Sequence, residues 1–123
     1  AKVIHVTGPG SVDEAIETAP DVDAILLDSG NPGLATKELG GTGRIHDWQL
    51  SRRIRNAVDR PVYLAGGLSA DNVAEAIRAV RPFGVDVCSG VRTNGRLDSA
   101  RLSRFVKAVA RVATAIDQHR QRV

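Results

Sequence analysis

Cysteine occurs once in this chain, at position 88, so an intrachain disulfide is excluded. Aromatic residues make up only 3%, and 17 basic residues stand against 14 acidic ones. The chain therefore has neither stacking platforms nor a strong electrostatic footprint, and nucleic acid is not an expected partner. No stretch approaches the ~20 apolar residues of a membrane span, and no signal-peptide pattern opens the chain. The expectation is a soluble, cytoplasmic protein with no membrane partner. Methionine is absent altogether, so either an initiator was removed or the chain is a piece of something longer. His5 and His46 are too far from other ligand-type residues to suggest metal spacing, and no metal is expected. What is present is 123 residues with 42% hydrophobic content, enough for one compact core and not for two.

Taken in order, the chain alternates strand and helix patterns. Lys2 to Thr7 is a β-branched run ended by Gly8-Pro9-Gly10. Ser11 and Glu14 form a capping-box pattern ahead of a stripe of Val12, Ala15, Ile16 and Ala19, which Pro20 stops. Asp23 to Ser29 reads as a second strand. A glycine-rich loop from Gly30 to Gly43 then leads to Asp47, a cap for a helix carrying Trp48, Ile54 and Val58. Val62 to Ala65 forms the third strand, and its apolar run without alternation predicts burial on both faces. It passes through Gly66-Gly67 to Ser69, a candidate cap for a helix with Val73, Ala76, Ile77 and Val80 on one face. Gly84 to Ser89 reads as the fourth strand. After Gly90 to Gly95 comes a last helix with Leu102, Phe105, Val106, Val109, Val112, Ala113 and Ile116 at helical spacing. Four such units require parallel strands, with the loops after the strands on one rim. A doubly wound sheet satisfies the pattern, and so does half of a (β/α)₈ barrel, a parallel (βα)₄ unit with two open edges.

Ligand chemistry is expected at the carboxyl ends of the strands in either architecture. Asp28 ends the second strand beside an apolar wall, which suits a general acid, although a loop-pinning aspartate fits the composition too. Asp86 is placed inside the fourth strand, where a carboxylate needs a donor or a substrate. The pair Gly66-Gly67 and the segment Ser89-Gly90-Val91 end adjacent strands and would together form a phosphate cradle of backbone N–H groups. Gly41, Thr42 and Gly43 suit a substrate loop or an ordinary surface loop. Cys88 is expected to be an inert core thiol, and Arg44, Arg52, Arg53 and Arg55 a solvated helix face.

The segments Asp23–Ser29, Gly40–Gly43 with Asp47-Trp48, Leu64–Leu68 with Asn72–Ile77, and Arg81–Val91 resemble the C-terminal half of phosphoribosylanthranilate isomerase, in the right order. The resemblance implies a (β/α)₈ barrel of which residues 1–123 supply strands five to eight. It implies an Amadori rearrangement of N-(5-phosphoribosyl)anthranilate in tryptophan biosynthesis, without a cofactor. Asp28 matches the general acid that protonates the ribose ring oxygen, Asp86 the second active-site aspartate, and Gly66, Gly67, Ser89, Gly90 and Val91 the phosphate loops. The family's general base, a cysteine ending the first barrel strand, and the arginine for the anthranilate carboxylate have no counterpart here. Cys88 stands where a second serine is usual, Arg92 where an acidic residue is usual, and His46 where an aromatic is common, and the Ser29 to Leu39 loop is longer than usual. The implied partners are a phosphorylated sugar and either an N-terminal half-barrel or a second copy of the chain. The competing function is a non-catalytic sugar-phosphate-binding module or structural barrel fragment.

Overall fold

A computed structural model describes residues 1–28, 42–87 and 89–122, with the side chains of 42–47, Ser89 and 117–122 outside the description. Four strands, β1 (Lys2–His5), β2 (Ile25–Asp28), β3 (Val62–Ala65) and β4 (Gly84–Val85), form one sheet in the order β1-β2-β3-β4. All three pairings are parallel. The helices are α1 (Gly10–Thr18), α2 (Thr42–Ala57), α3 (Val73–Val80) and α4 (Ser99–Arg122). Each packs on the next, α1 on α2, α2 on α3 and α3 on α4. Sequential strand order with a sequential row of helices is the arrangement of a barrel segment, since a doubly wound sheet reverses its order at a switch point.

Burial decides the same question. Ile4, Ile25, Leu27, Val62 and Leu64 are buried and form the core with Val12, Trp48, Ile54, Val73, Val80 and Phe105. Their neighbours along the strands, Val3, His5, Leu26, Asp28, Tyr63 and Ala65, are exposed or half-buried. The register explains it, because Val3, Leu26 and Tyr63 share one row and His5, Asp28 and Ala65 another, with side chains projecting from the face opposite the helices. The expectation that β3 is covered on both faces therefore fails. Leu26 and Tyr63 are apolar or amphipathic on the open face, which masks the alternation in the sequence. The architecture is a parallel (βα)₄ half-barrel, with the helices outside and, among the described residues, the inner face open.

Several local expectations also change. β1 stops at His5 and β2 starts at Ile25. Ser11 lies inside α1 and makes no cap. Its buried hydroxyl accepts a hydrogen bond from the Thr7 N–H (3.0 Å) and donates to the His5 carbonyl (3.2 Å), pinning the β1–α1 turn. Ile16 and Val106 lie on solvated flanks of their helices, and Ala113 is exposed as well. α2 begins at Thr42, five residues ahead of Asp47. Arg53 and Arg55 are solvated as expected and Arg52 is half-buried, but two of these side chains are tied down: Arg52 Nη1 donates to the Ala79 carbonyl (3.4 Å) and Arg55 Nε to that of Arg81 (3.0 Å). They meet the carbonyl end of α3, where the helix dipole favours cations. Residues 92–97 form a hairpin, β5 (Arg92–Thr93) with β6 (Arg96–Leu97), turning through Asn94 and Gly95, both at positive φ. Asn-Gly is the favoured pair for such a turn.

Candidate functional site

The carboxyl ends of the four strands gather the residues picked from the sequence. Asp28 is the last residue of β2 and projects from the open face. Its side chain is 31% exposed, so it stands at the lip of the sheet and not against a closed apolar wall. Its row partner on β1 is His5, whose Nδ1 lies 3.4 Å from Asp28 Oδ2. The sequence alone gives His5 no role, since it lacks metal-ligand spacing. The available signal was positional: His5 and Asp28 both end a strand, and adjacent parallel strands that end together bring their last side chains side by side.

Asp86 does not lie inside a strand. β4 ends at Val85, Asp86 is exposed, and its N–H donates to the Leu64 carbonyl (2.8 Å), continuing the ladder one step. Because Leu64 pairs with Val85, the next step puts Asp86 beside Ala65, in the row that holds His5 and Asp28. At ~4.8 Å per strand, Asp28 and Asp86 are two strands and roughly 10 Å apart, room for a sugar between them.

The loop after β3 turns through Gly66 (φ 95°) and Gly67 (φ 67°), conformations that strain any residue with a Cβ. Asn72 then ties the loop: its Oδ1 accepts from the Ser69 N–H (2.9 Å) and its Nδ2 donates to the Gly67 carbonyl (2.9 Å). Asn72, and not Ser69, occupies the cap position of α3, while Ser69 Oγ accepts from the Asp71 N–H at 3.3 Å. The loop after β4 begins with a 3₁₀ turn, Ser89–Val91. Gly90 sits directly on the other loop: a Cβ there would overlap the Leu68 carbonyl oxygen and come within 2.9 Å of its carbon. The two glycine loops are thus in backbone contact. Val91 is buried in the core, which leaves only its backbone to face a ligand. Thr42 and Gly43 belong to the first turn of α2 instead of a loop, whereas Gly41 and Cys88 fall outside the described residues. Among the described residues no group of three or more His, Cys, Asp or Glu side chains is placed to hold a metal ion, and no helix is long and apolar enough to cross a membrane.

Residues 2–108 match the family described as N-(5'-phosphoribosyl)anthranilate (PRA) isomerase. The chain belongs to the phosphoribosylanthranilate isomerase family. An N-(5'-phosphoribosyl)anthranilate isomerase of Haloferax volcanii is 45% identical over 120 residues, 97% of this chain and 52% of that protein. The phosphoribosyl anthranilate isomerase structure from Thermococcus kodakaraensis superposes with a TM-score of 0.71 at 38% identity, over 88% of this chain and 50% of that one. A second structure, a phosphoribosyl anthranilate isomerase in complex with reduced 1-(o-carboxyphenylamino)-1-deoxyribulose 5-phosphate, superposes with a TM-score of 0.66 at 31% identity, over 87% of this chain and 46% of that one. The chain spans about half the length of the phosphoribosylanthranilate isomerases it matches.

Proposed function

We propose that this chain supplies strands five to eight of a phosphoribosylanthranilate isomerase barrel and carries its general acid and its phosphate site. The observation that carries the reading is the row His5–Asp28–Ala65 on the open face, whose last member leads straight into the first of two glycine loops in contact through Gly90 and Leu68. A phosphate held by the amides of Gly66, Gly67, Ser89, Gly90 and Val91 fixes one end of a ribose, and Asp28 reaches its ring oxygen. Asp28 gives its proton to that oxygen as the C1–O bond breaks, and the anthranilate nitrogen lone pair forms the C=N bond. A base on the complementary half, bound against the bare face, removes the C2 proton, and the resulting enolamine tautomerises to the 1-deoxyribulose. Asp86 faces the same space from the far side. His5 holds the Asp28 carboxylate in place. The whole substrate is N-(5-phosphoribosyl)anthranilate, and the partner is the half-barrel that bears the base.

The test is complementation with strands one to four of the Haloferax volcanii relative, followed by steady-state turnover. The joined barrel turns over, and the chain alone, lacking the base, loses about 10²- to 10⁴-fold or more. A folded joined barrel that binds ribose 5-phosphate yet does not isomerise would favour a sugar-phosphate-binding module instead.

A further inference from the structure

A cavity of about 630 Å³ opens at the other end of the sheet, between the start of β3, the carbonyl ends of α2 and α3, and Ile116 of α4. Its size is that of a small-molecule site. Three guanidinium groups, Arg55, Arg60 and Arg81, line it with one carboxylate, Asp59, and a wall that includes Val58, Ile77 and Phe83.

The charge is not balanced internally. Arg55 Nε donates to the Arg81 carbonyl (3.0 Å) and Arg60 Nε to the Val22 carbonyl (2.9 Å), both neutral acceptors. These bonds fix the two side chains without neutralising them. Arg81 Nε is buried and has no hydrogen-bond partner. Shielded by protein, that nitrogen is out of reach of the cavity and leaves the Arg81 charge uncompensated among the described residues, so a ligand meets the remainder of the guanidinium that lines the wall. Arg81 also has φ 57°, a left-handed conformation that costs a residue with a Cβ on the order of 1 kcal/mol. Phe83 presents an aromatic ring to the same space, edge-on to Tyr63 with centroids 5.4 Å apart, and is 73% exposed. Preorganised guanidinium donors beside an aromatic and aliphatic wall match a planar carboxylate on a compact apolar body.

We propose that this cavity is a binding site for a small organic acid, its carboxylate held by Arg81 with Arg55 and Arg60 and its apolar body against Phe83 and Ile77. The site is remote from Asp28 and does not depend on the isomerase reading.

The experiment is calorimetric and NMR titration of the full chain with benzoate, with benzamide as the uncharged analogue and inorganic phosphate as the anion without an apolar body. Benzoate binds in the millimolar range or tighter, at least tenfold better than either control, and shifts the amides of Ile77 and Phe83 but not those of Gly66 and Gly67. Arg81→Gly removes the guanidinium and relieves the left-handed strain, so the variant folds, and benzoate binding falls at least tenfold. Phe83→Ala lowers it severalfold. Equal binding of benzoate and benzamide, unchanged binding in Arg81→Gly, or no heat with benzoate would overturn the proposal. Phosphate binding as tightly as benzoate would overturn the organic-acid assignment.

Discussion

His5 Nδ1 lies 3.4 Å from a carboxylate oxygen of Asp28, at the last register step of β1 and β2. Both side chains are partly solvated, at 63% and 31% exposed, so the pair is worth at most about 1 kcal/mol and its value lies in orientation. In the joined barrel, His5→Ala lowers kcat about fivefold with KM unchanged. His5→Asn keeps a donor near the position of Nδ1 and restores most of the loss. A parallel rise in KM would show that His5 serves substrate binding instead.

Asp28→Asn separates acid chemistry from binding. Turnover in the joined barrel falls by about 10² or more, while affinity for ribose 5-phosphate changes little, because the proposed phosphate loops follow β3 and β4 and not β2. Steady-state kinetics beside calorimetry measures both. Full activity in this variant removes the acid assignment.

Gly90→Ala pushes a methyl group into the Leu68 carbonyl. The obstacle is backbone on both sides, so the two loops must separate, at a cost of about 1–3 kcal/mol. Urea denaturation shows the loss, and ribose 5-phosphate affinity falls with it. Asn72→Ala acts on the same loop by releasing the Gly67 carbonyl and the Ser69 N–H, and costs about 1–2 kcal/mol.

The two faces of the sheet respond differently to substitution. Leu27→Ala empties the core and destabilises the chain by about 2–5 kcal/mol. Leu26→Asp, one residue away on the bare face, changes the stability of the separate chain far less and blocks joining to the complementary half. Thermal unfolding and size-exclusion of the mixture distinguish them. Equal destabilisation by both would contradict a one-sided sheet.

Asp98 caps α4, with Oδ1 accepting from the Ala100 (3.0 Å) and Arg101 (3.1 Å) N–H groups and Oδ2 from Thr93 Oγ1 (2.7 Å). The Thr93 hydroxyl first, and then the Arg101 amide, hold its carboxyl below the ordinary aspartate value. A lowered folded value means that the stabilisation is complete above the unfolded value of roughly 4 and is lost as pH falls through the folded one. Asp98→Asn therefore shows a shallower acid limb in thermal unfolding below about pH 4. An unchanged limb would contradict the assignment.

The four βα units, Asp28 at a strand end and the paired glycine loops were legible because each is a local pattern: apolar strand, glycine, helical stripe. What escaped depends on contacts across the chain. Ser11 has the spacing of a cap, yet the helix starts one residue earlier at Gly10, which turns the hydroxyl toward Thr7 and His5. Asp86 looks buried in an apolar run, but β4 stops short of it. His5 has no signature of its own and gains one only from register with β2. The Asn94-Gly95 pair is the exception, a local hairpin signal that needs no contact across the chain.

The seating of Gly90 on the Leu68 carbonyl has a thermodynamic consequence. Two loops locked backbone to backbone have already given up their freedom when the chain folds. A phosphate at the proposed cradle meets amides that do not have to be ordered first, so the entropy of fixing them belongs to folding and not to binding.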